Sequence, residues 1–115
     1  MNLWREQAVH EAGHAVAALH LDQDVLSVEI RHGGGGLTRT RSPRHSHRQA
    51  VRDFVAVSYG GIIASEQIGS KEGCHGDRAN IRNKLASIDD PQEREMIERE
   101  ARQLAEDRNK RRKPR

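Results

Sequence analysis

The spacing of apolar residues near the start of the chain predicts a helix over residues 4–21. Its apolar positions are three or four residues apart, which places them along one side of a helix. We expect this stripe to face the core; it comprises Trp4, Ala8, Ala12, Ala15 and Leu19. Gly13 lies within the helix at a cost of about 1 kcal/mol relative to alanine. It is either a tolerated imperfection or the mark of a close approach by another element.

Two short segments after this helix have the pattern of strands. Residues 25–31 (VLSVEIR) alternate apolar and polar side chains, as a half-buried strand does. Residues 37–41 are a second candidate strand, and four glycines at 33–36 separate the two. The pattern therefore predicts either a hairpin with a loose connection or two strands joined by a flexible loop.

A second long helix is predicted to begin after Ser46. Ser46 and Gln49 fit a capping box, in which each side chain satisfies a backbone N–H that the first turn leaves unpaired. Gly69 is a plausible residue at which the helix ends. The Gly60-Gly61 pair inside it would either kink the helix or allow tight packing. The expected core face is apolar: Val51, Phe54, Val55, Ile62 and Ile63.

Two further helices are predicted in the last third of the chain. Ile81, Leu85 and Ile88 mark a short third helix after a loop at 70–76. Asp90-Pro91 is a strong start signal for a last helix that runs to about Asp107. The expected fold class is therefore α+β and mainly helical, with about four helices around a small β-hairpin or strand pair.

Composition and charge limit the classes of protein to which the chain can belong. Only 34% of its 115 residues are hydrophobic and 32% are charged, so its core is thin, and stabilisation by a metal would be unsurprising. A single cysteine, Cys74, excludes an internal disulfide and fits a reducing compartment. No apolar run approaches the roughly 18 residues of a membrane span. Because charged residues and histidines interrupt the N-terminal apolar stretch, we expect no signal peptide and a cytoplasmic location.

The residues with the clearest chemistry are His10-Glu11-Ala12-Gly13-His14, an H-E-x-x-H motif. Residues i and i+4 share a helix face, so both imidazoles can reach a tetrahedral Zn²⁺. Glu11 lies about 100° around the helix from His10. It can therefore flank the metal and take a proton from water. The apolar stripe lies on the opposite side, so we expect one face to pack in the core and the other to carry the site.

A catalytic zinc site needs a third protein ligand as well as an open position. Asp77 is one candidate, although a carboxylate just before a predicted helix is also an ordinary N-cap. His75 is its main rival, whereas Cys74 is expected to be a small loop residue. The remaining candidates are the other acids and the other histidines, namely His20, His32, His45 and His47.

Residues 10–15 (HEAGHA) resemble the active-site helix of the FtsH-type ATP-dependent zinc metallopeptidases. Residues 59–66 and 73–77 (GCHGD) are similar to that family's second signature, in which a Gly-Gly helix with an acidic end leads to a glycine-containing loop and an aspartate. The resemblance covers most of residues 4–107. It implies a zincin-like metallopeptidase domain over residues 1–107. It also implies that His10, His14 and Asp77 bind Zn²⁺ and that Glu11 is the catalytic base.

The sequence contains no P-loop and no Walker lysine, unlike the FtsH-type proteases. We therefore expect a metalloendopeptidase that acts independently of ATP on unfolded or flexible polypeptides. An alternative is a zinc-stabilised, non-catalytic module that binds nucleic acid or protein. It would use the basic residues at 108–115, expected to be a disordered tail, together with an arginine-rich middle: Arg39, Arg41, Arg44, Arg48 and Arg52.

Overall fold

Four helices and one antiparallel pair of strands make up the described part of the chain. A computed structural model describes residues 3–31, 35–41 and 46–110, with side chains to 107. Among these residues, no helix is both long enough and apolar enough to cross a membrane. In chain order the elements are α1 (Leu3–His20), β1 (Asp24–Ile30), β2 (Gly36–Arg41), α2 (His47–Gln67), α3 (Cys74–Leu85) and α4 (Pro91–Lys110).

The predicted α+β, mainly helical class is confirmed, and the helix boundaries lie close to the local signals. The Ser46 hydroxyl accepts the Gln49 backbone N–H at 3.2 Å at the start of α2. Gly69 follows the helix in the left-handed region, with φ of 71°. The Asp90 carboxylate accepts the Gln92 N–H at 3.0 Å and caps α4. That helix continues three residues beyond the predicted end at Asp107, while the last five residues of the expected tail lie outside the described residues.

The central helix is α2, which packs against α1, α3 and α4. Apolar side chains between α2, α3 and α4 form the main core, and the largest that are fully buried are Ile62 and Ile97. β1 and β2 pair in antiparallel register, with Val28 opposite Thr38, and both strands pack on α1. The helix α1 is therefore held between the strand pair and α2.

The crossing of α1 and α2 is unusually close because a glycine from each helix lies at the contact. A Cβ atom on Gly60 would lie 2.7 Å from the Gly13 carbonyl oxygen and 2.7 Å from the Ala17 Cβ. A Cβ atom on Gly13 would overlap the Gly60 carbonyl and lie 2.6 Å from the Ala64 Cβ. The helix α2 continues through the Gly60-Gly61 pair, so these glycines serve tight packing. A close approach is likewise the explanation for Gly13.

The predicted core-facing stripe of α1 is wrong. Trp4 is 54% exposed and Leu19 is 60% exposed, and Ala12 is also exposed. The buried face instead carries small and polar residues: Gln7, His10, Glu11, Gly13, His14, Ala17 and Ala18. This face is buried because its small residues permit the close crossing with α2, while His10, Glu11 and His14 have hydrogen-bond partners on the neighbouring elements.

The close crossing predicts that Gly13→Ala lowers the free energy of unfolding by about 1–3 kcal/mol, the usual cost of overpacking. The added methyl group would meet the Gly60 backbone, which cannot rotate away as a side chain can. Urea denaturation followed by circular dichroism, with a chelator present, measures the change. Gly76→Ala is the matched control, since nothing lies within 4 Å of a Cβ atom there. It should be neutral or stabilising by up to about 1 kcal/mol. Equal losses in both variants would contradict the close crossing.

Candidate metal centre

Two imidazoles from α1 and one carboxylate from α3 converge on a single point. The Asp77 Oδ2 atom lies 2.6 Å from His10 Nε2 and 3.0 Å from His14 Nε2. The two rings lie edge to face with centroids 4.7 Å apart. His10 is 1% exposed and His14 8% exposed, so the donor atoms meet at a largely buried site. The structure thus brings together the three residues that the sequence suggests as zinc ligands.

Asp77 is not the N-cap of α3, which was the alternative role for this residue. The helix begins at Cys74, its N-cap is Gly73, and Asp77 lies in the first turn. Its side chain contacts the two histidines of α1 and does not cap the end of its own helix. The predicted loop at 70–76 is therefore wrong in its last three residues, because 74–76 form the first turn of α3.

Two glycines leave the space that the imidazole rings occupy. A Cβ atom on Gly73 would lie 2.7 Å from His10 Nε2, and one on Gly61 would lie 2.5 Å from His14 Nε2. Gly73 also has a φ of 76°, in the left-handed region that favours glycine. Both residues therefore permit α2 and the start of α3 to close around the two rings.

The other nitrogen of each ring has a partner that fixes its tautomer. His14 Nδ1 lies 2.7 Å from the Val57 carbonyl oxygen, which can only accept, so Nδ1 carries the hydrogen. His10 Nδ1 lies 2.7 Å from the Ser65 hydroxyl, which itself donates to the Glu72 carbonyl at 3.3 Å. The hydroxyl therefore accepts from Nδ1–H. In the neutral form of both rings, Nε2 then presents a lone pair towards Asp77.

Lone pairs from both rings facing one carboxylate oxygen repel each other unless a proton or a metal ion lies between them. Burial lowers the pKa of His14, but the hydrogen bond and negative charge of Asp77, helped by the Val57 carbonyl, outweigh it and raise the pKa overall. For the acidic group of Asp77, burial acts in the opposite direction and raises the pKa. The hydrogen bonds with His10 and His14 outweigh burial and lower the pKa of Asp77 overall. The arrangement therefore favours a charged carboxylate beside a cation, which is either a shared proton or a bound metal ion.

The donor set fits zinc. Two imidazole nitrogens and one carboxylate oxygen are ligands typical of catalytic zinc. Tetrahedral Zn²⁺ at about 2.0–2.1 Å from each donor separates the donors by about 3.3 Å. The present separations from Asp77 are 2.6 and 3.0 Å, so small side-chain shifts would accommodate the ion.

Glu11 is the rival for the third ligand, because it, His10 and His14 offer ligand atoms within 4.8 Å of one another. Both of its carboxylate oxygens, however, already accept hydrogen bonds. Gln7 Nε2 donates to Oε2 at 3.0 Å, and the Thr38 hydroxyl donates to Oε1 at 2.6 Å. Asp77 contacts both imidazoles directly, so it is the better third donor. Glu11 instead lies beside the donor atoms with its carboxylate held in place.

A cleft of about 430 Å³ opens next to Glu11, His14 and Asp77. Thr38 and Thr40 of β2 contribute to its wall, as do residues of α2 and α3. Phe54 also lines it and is 38% exposed, so its predicted place on the core face of α2 is wrong. The cleft therefore gives access from one side to Glu11 and to two of the candidate metal ligands, His14 and Asp77.

The other candidate ligands do not join this group. His20, His47 and His75 are exposed, and none of them is among the described residues that line the cleft. His75 lines a separate groove with Glu66 and Arg78, and these two form an ion pair at 3.1 Å. Cys74 is buried. His32 and His45 lie outside the described residues.

Sequence reasoning missed the residues that orient the site. Gln7 offers a local signal, since it precedes Glu11 by four residues and so shares its helix face. Thr38 and Ser65 lie 27 and 55 positions from their partners on α1, and no short-range pattern marks them. The Val57 carbonyl is a backbone group, and only its place in the fold gives it a role.

If Asp77 is the third ligand, Asp77→Asn should weaken Zn²⁺ binding by at least about 10-fold, since an amide is a poorer ligand and carries no negative charge. Competition with a chromophoric chelator measures the affinity. His75→Asn serves as the control and should bind Zn²⁺ as the wild type does. Unchanged affinity in Asp77→Asn, with a loss in His75→Asn, would identify His75 as the ligand instead.

Comparisons with protein-family models, with curated proteins and with solved structures give no match. The resemblance to FtsH-type metallopeptidases therefore rests on the motif residues around His10, His14 and Asp77. What supports a function for this site is the geometry of its own side chains.

Proposed function

We propose that the protein is a zinc-dependent metalloendopeptidase that hydrolyses peptide bonds by activating water. The observation that carries this proposal is the convergence of His10, His14 and Asp77 beside the carboxylate of Glu11, at the wall of an open cleft. A purely structural zinc site is usually closed by four protein ligands and needs neither a cleft nor an oriented carboxylate. The resemblance to FtsH-type metallopeptidases supports the same chemistry.

In this mechanism the histidines and Asp77 hold the metal, and Glu11 moves the proton. When bound, zinc supplies Lewis-acid polarisation of the scissile carbonyl and acidifies water. Glu11 takes the proton of the attacking water and passes it to the leaving amine. Gln7 and Thr38 keep its carboxylate in one orientation, so little reorganisation is needed before the transfer. The Val57 carbonyl and the Ser65 hydroxyl keep both Nε2 atoms available as ligands.

The strand β2 suggests how a polypeptide would lie in the cleft. It contributes Thr38 and Thr40 to the wall and pairs with β1 along one edge. An extended peptide alongside β2 would add hydrogen bonds between backbones, which are insensitive to side-chain identity. The substrate class would then be unfolded or flexible polypeptide. A single cysteine is consistent with a reducing compartment, and we include a cytoplasmic location in the proposal.

A zinc-stabilised module that binds nucleic acid finds less support. Arg48 from the arginine-rich middle is paired with Glu93 at 2.8 Å and with Glu100 at 3.1 Å. Arg52 is paired with Asp53 at 2.9 Å. Two of its cations are thus already neutralised by carboxylates of the same chain, and nothing in the described residues favours this function over hydrolysis.

The proposed role of Glu11 predicts that Glu11→Gln retains one zinc ion per chain but cleaves casein at least about 100-fold more slowly, since an amide cannot accept the proton. Elemental analysis gives the zinc content, and release of soluble peptides gives the rate. Glu66→Gln removes an exposed carboxylate outside the cleft and should cleave at the wild-type rate. If zinc-loaded wild type and Glu11→Gln cleave equally, or neither cleaves, the peptidase proposal fails.

The hydrogen bond from Thr38 to Glu11 makes a second prediction. Thr38→Val should lower kcat for a peptide substrate by about 10-fold with little change in KM, as expected when a partner that orients a reacting group is lost. Thr38→Ser keeps the hydroxyl and should restore most of the rate. A rise in KM with unchanged kcat would instead assign Thr38 to substrate binding.

A further inference from the structure

One face of α3 extends the cleft away from the candidate metal centre. Asp77, Asn80 and Lys84 are spaced three and four residues apart, so they share a helix face, and all three line the cleft. At about 1.5 Å of rise per residue, Lys84 lies about 10 Å along the helix from Asp77. An extended peptide advances about 3.3 Å per residue, so this distance corresponds to about three residues.

The environment of Lys84 differs from that of three arginines on α2 and α3. Its Nζ atom lies 4.8 Å from the centroid of the Phe54 ring, in a cation–π contact at the cleft wall. Arg48, Arg52 and Arg78 have carboxylate partners at 2.8–3.1 Å. Within the described residues, no carboxylate lies in ion-pair range of Lys84.

Lys84 is also the one cationic side chain, apart from histidine, among the described residues that line the cleft. The anionic side chains there are Glu11 and Asp77, and both are engaged: Glu11 by Gln7 and Thr38, and Asp77 by the two imidazoles. The far end of the cleft therefore presents a positive charge that the described part of the protein does not neutralise.

We propose that Lys84, with Asn80 and the Phe54 ring, forms a subsite for a carboxylate side chain of the substrate, about three residues from the scissile bond. The identification of this ligand as substrate rests on the proposed function. A carboxylate there gains a charge-assisted hydrogen bond from the ammonium group, and the Asn80 amide offers a second donor. A lysine or arginine at the same substrate position meets a like charge. The subsite thus narrows the substrate class to flexible segments with an acidic residue near the cleaved bond.

Fluorescein-labelled peptides test this subsite without requiring turnover. Each carries one Glu in an otherwise neutral sequence, at a position from one to four residues on either side of the central bond, and each has a Gln counterpart. Fluorescence anisotropy measures their binding to zinc-loaded Glu11→Gln. We expect one Glu position to bind about 5-fold more tightly than its Gln counterpart, with a preference that falls as salt is added. Adding Lys84→Met should remove the preference, whereas adding Lys84→Arg should retain most of it.

Lys71→Met is the matched control, because it removes the same charge from a lysine that lines the other groove. Combined with Glu11→Gln, it should keep the preference for Glu. Absence of a preference, or a preference that survives Lys84→Met, overturns the subsite. If the wild type cleaves the Glu and Gln peptides with equal kcat/KM, the peptidase proposal is supported and the subsite is refuted. Selective binding without cleavage by the wild type supports the subsite and refutes the peptidase.

Discussion

One carboxylate oxygen of Asp77 lies within hydrogen-bonding distance of a ring nitrogen of His10 and of a ring nitrogen of His14, in a largely buried site beside the cleft. With Val57 and Ser65 occupying the Nδ1 atoms, neutral imidazoles offer only lone pairs to Asp77. Three acceptors are stable in such proximity only when a shared proton or a metal ion lies among them. Because Asp77 is on α3 and the histidines are on α1, this contact also links elements far apart in the chain.

This constraint explains how α1 can be buried through a polar face. In a chain with 34% hydrophobic residues, the helix leaves Trp4 and Leu19 exposed and directs Gln7, His10 and Glu11 inward. There Gln7 donates to Glu11 and His10 contacts Ser65, while the Gln7 Oε1 atom is buried with no hydrogen-bond partner among the described residues. The position of α1 therefore depends on polar contacts as well as on apolar packing, and metal binding would contribute to the stability of the fold itself.

The contact between α1 and α2 places those partners within reach. Gly13 lies between the two histidines in sequence, and Gly60 faces it from α2. The absence of side chains at both positions lets the backbones approach until the Val57 carbonyl and the Ser65 hydroxyl reach the imidazoles. The same approach leaves β2 and α3 on either side of the cleft, with Thr38 on Glu11 and Lys84 at the far end.

Local sequence was sufficient to predict the number and type of elements, the caps at Ser46 and Asp90, and the placement of His10, Glu11 and His14 on one helix. Each of these depends on residues within about four positions of one another, where helical geometry and capping act. The tertiary structure decided which face of α1 is buried, turned Phe54 towards a cleft, and gave Asp77 two imidazole partners. It also placed Ser65 in contact with His10 and Thr38 in contact with Glu11, although these partners are distant in sequence. These outcomes depend on which surfaces of the helices and strands meet. An amphipathic pattern in one helix does not specify which of its faces is buried, because small and polar residues can pack more closely against a neighbouring helix than an apolar stripe can.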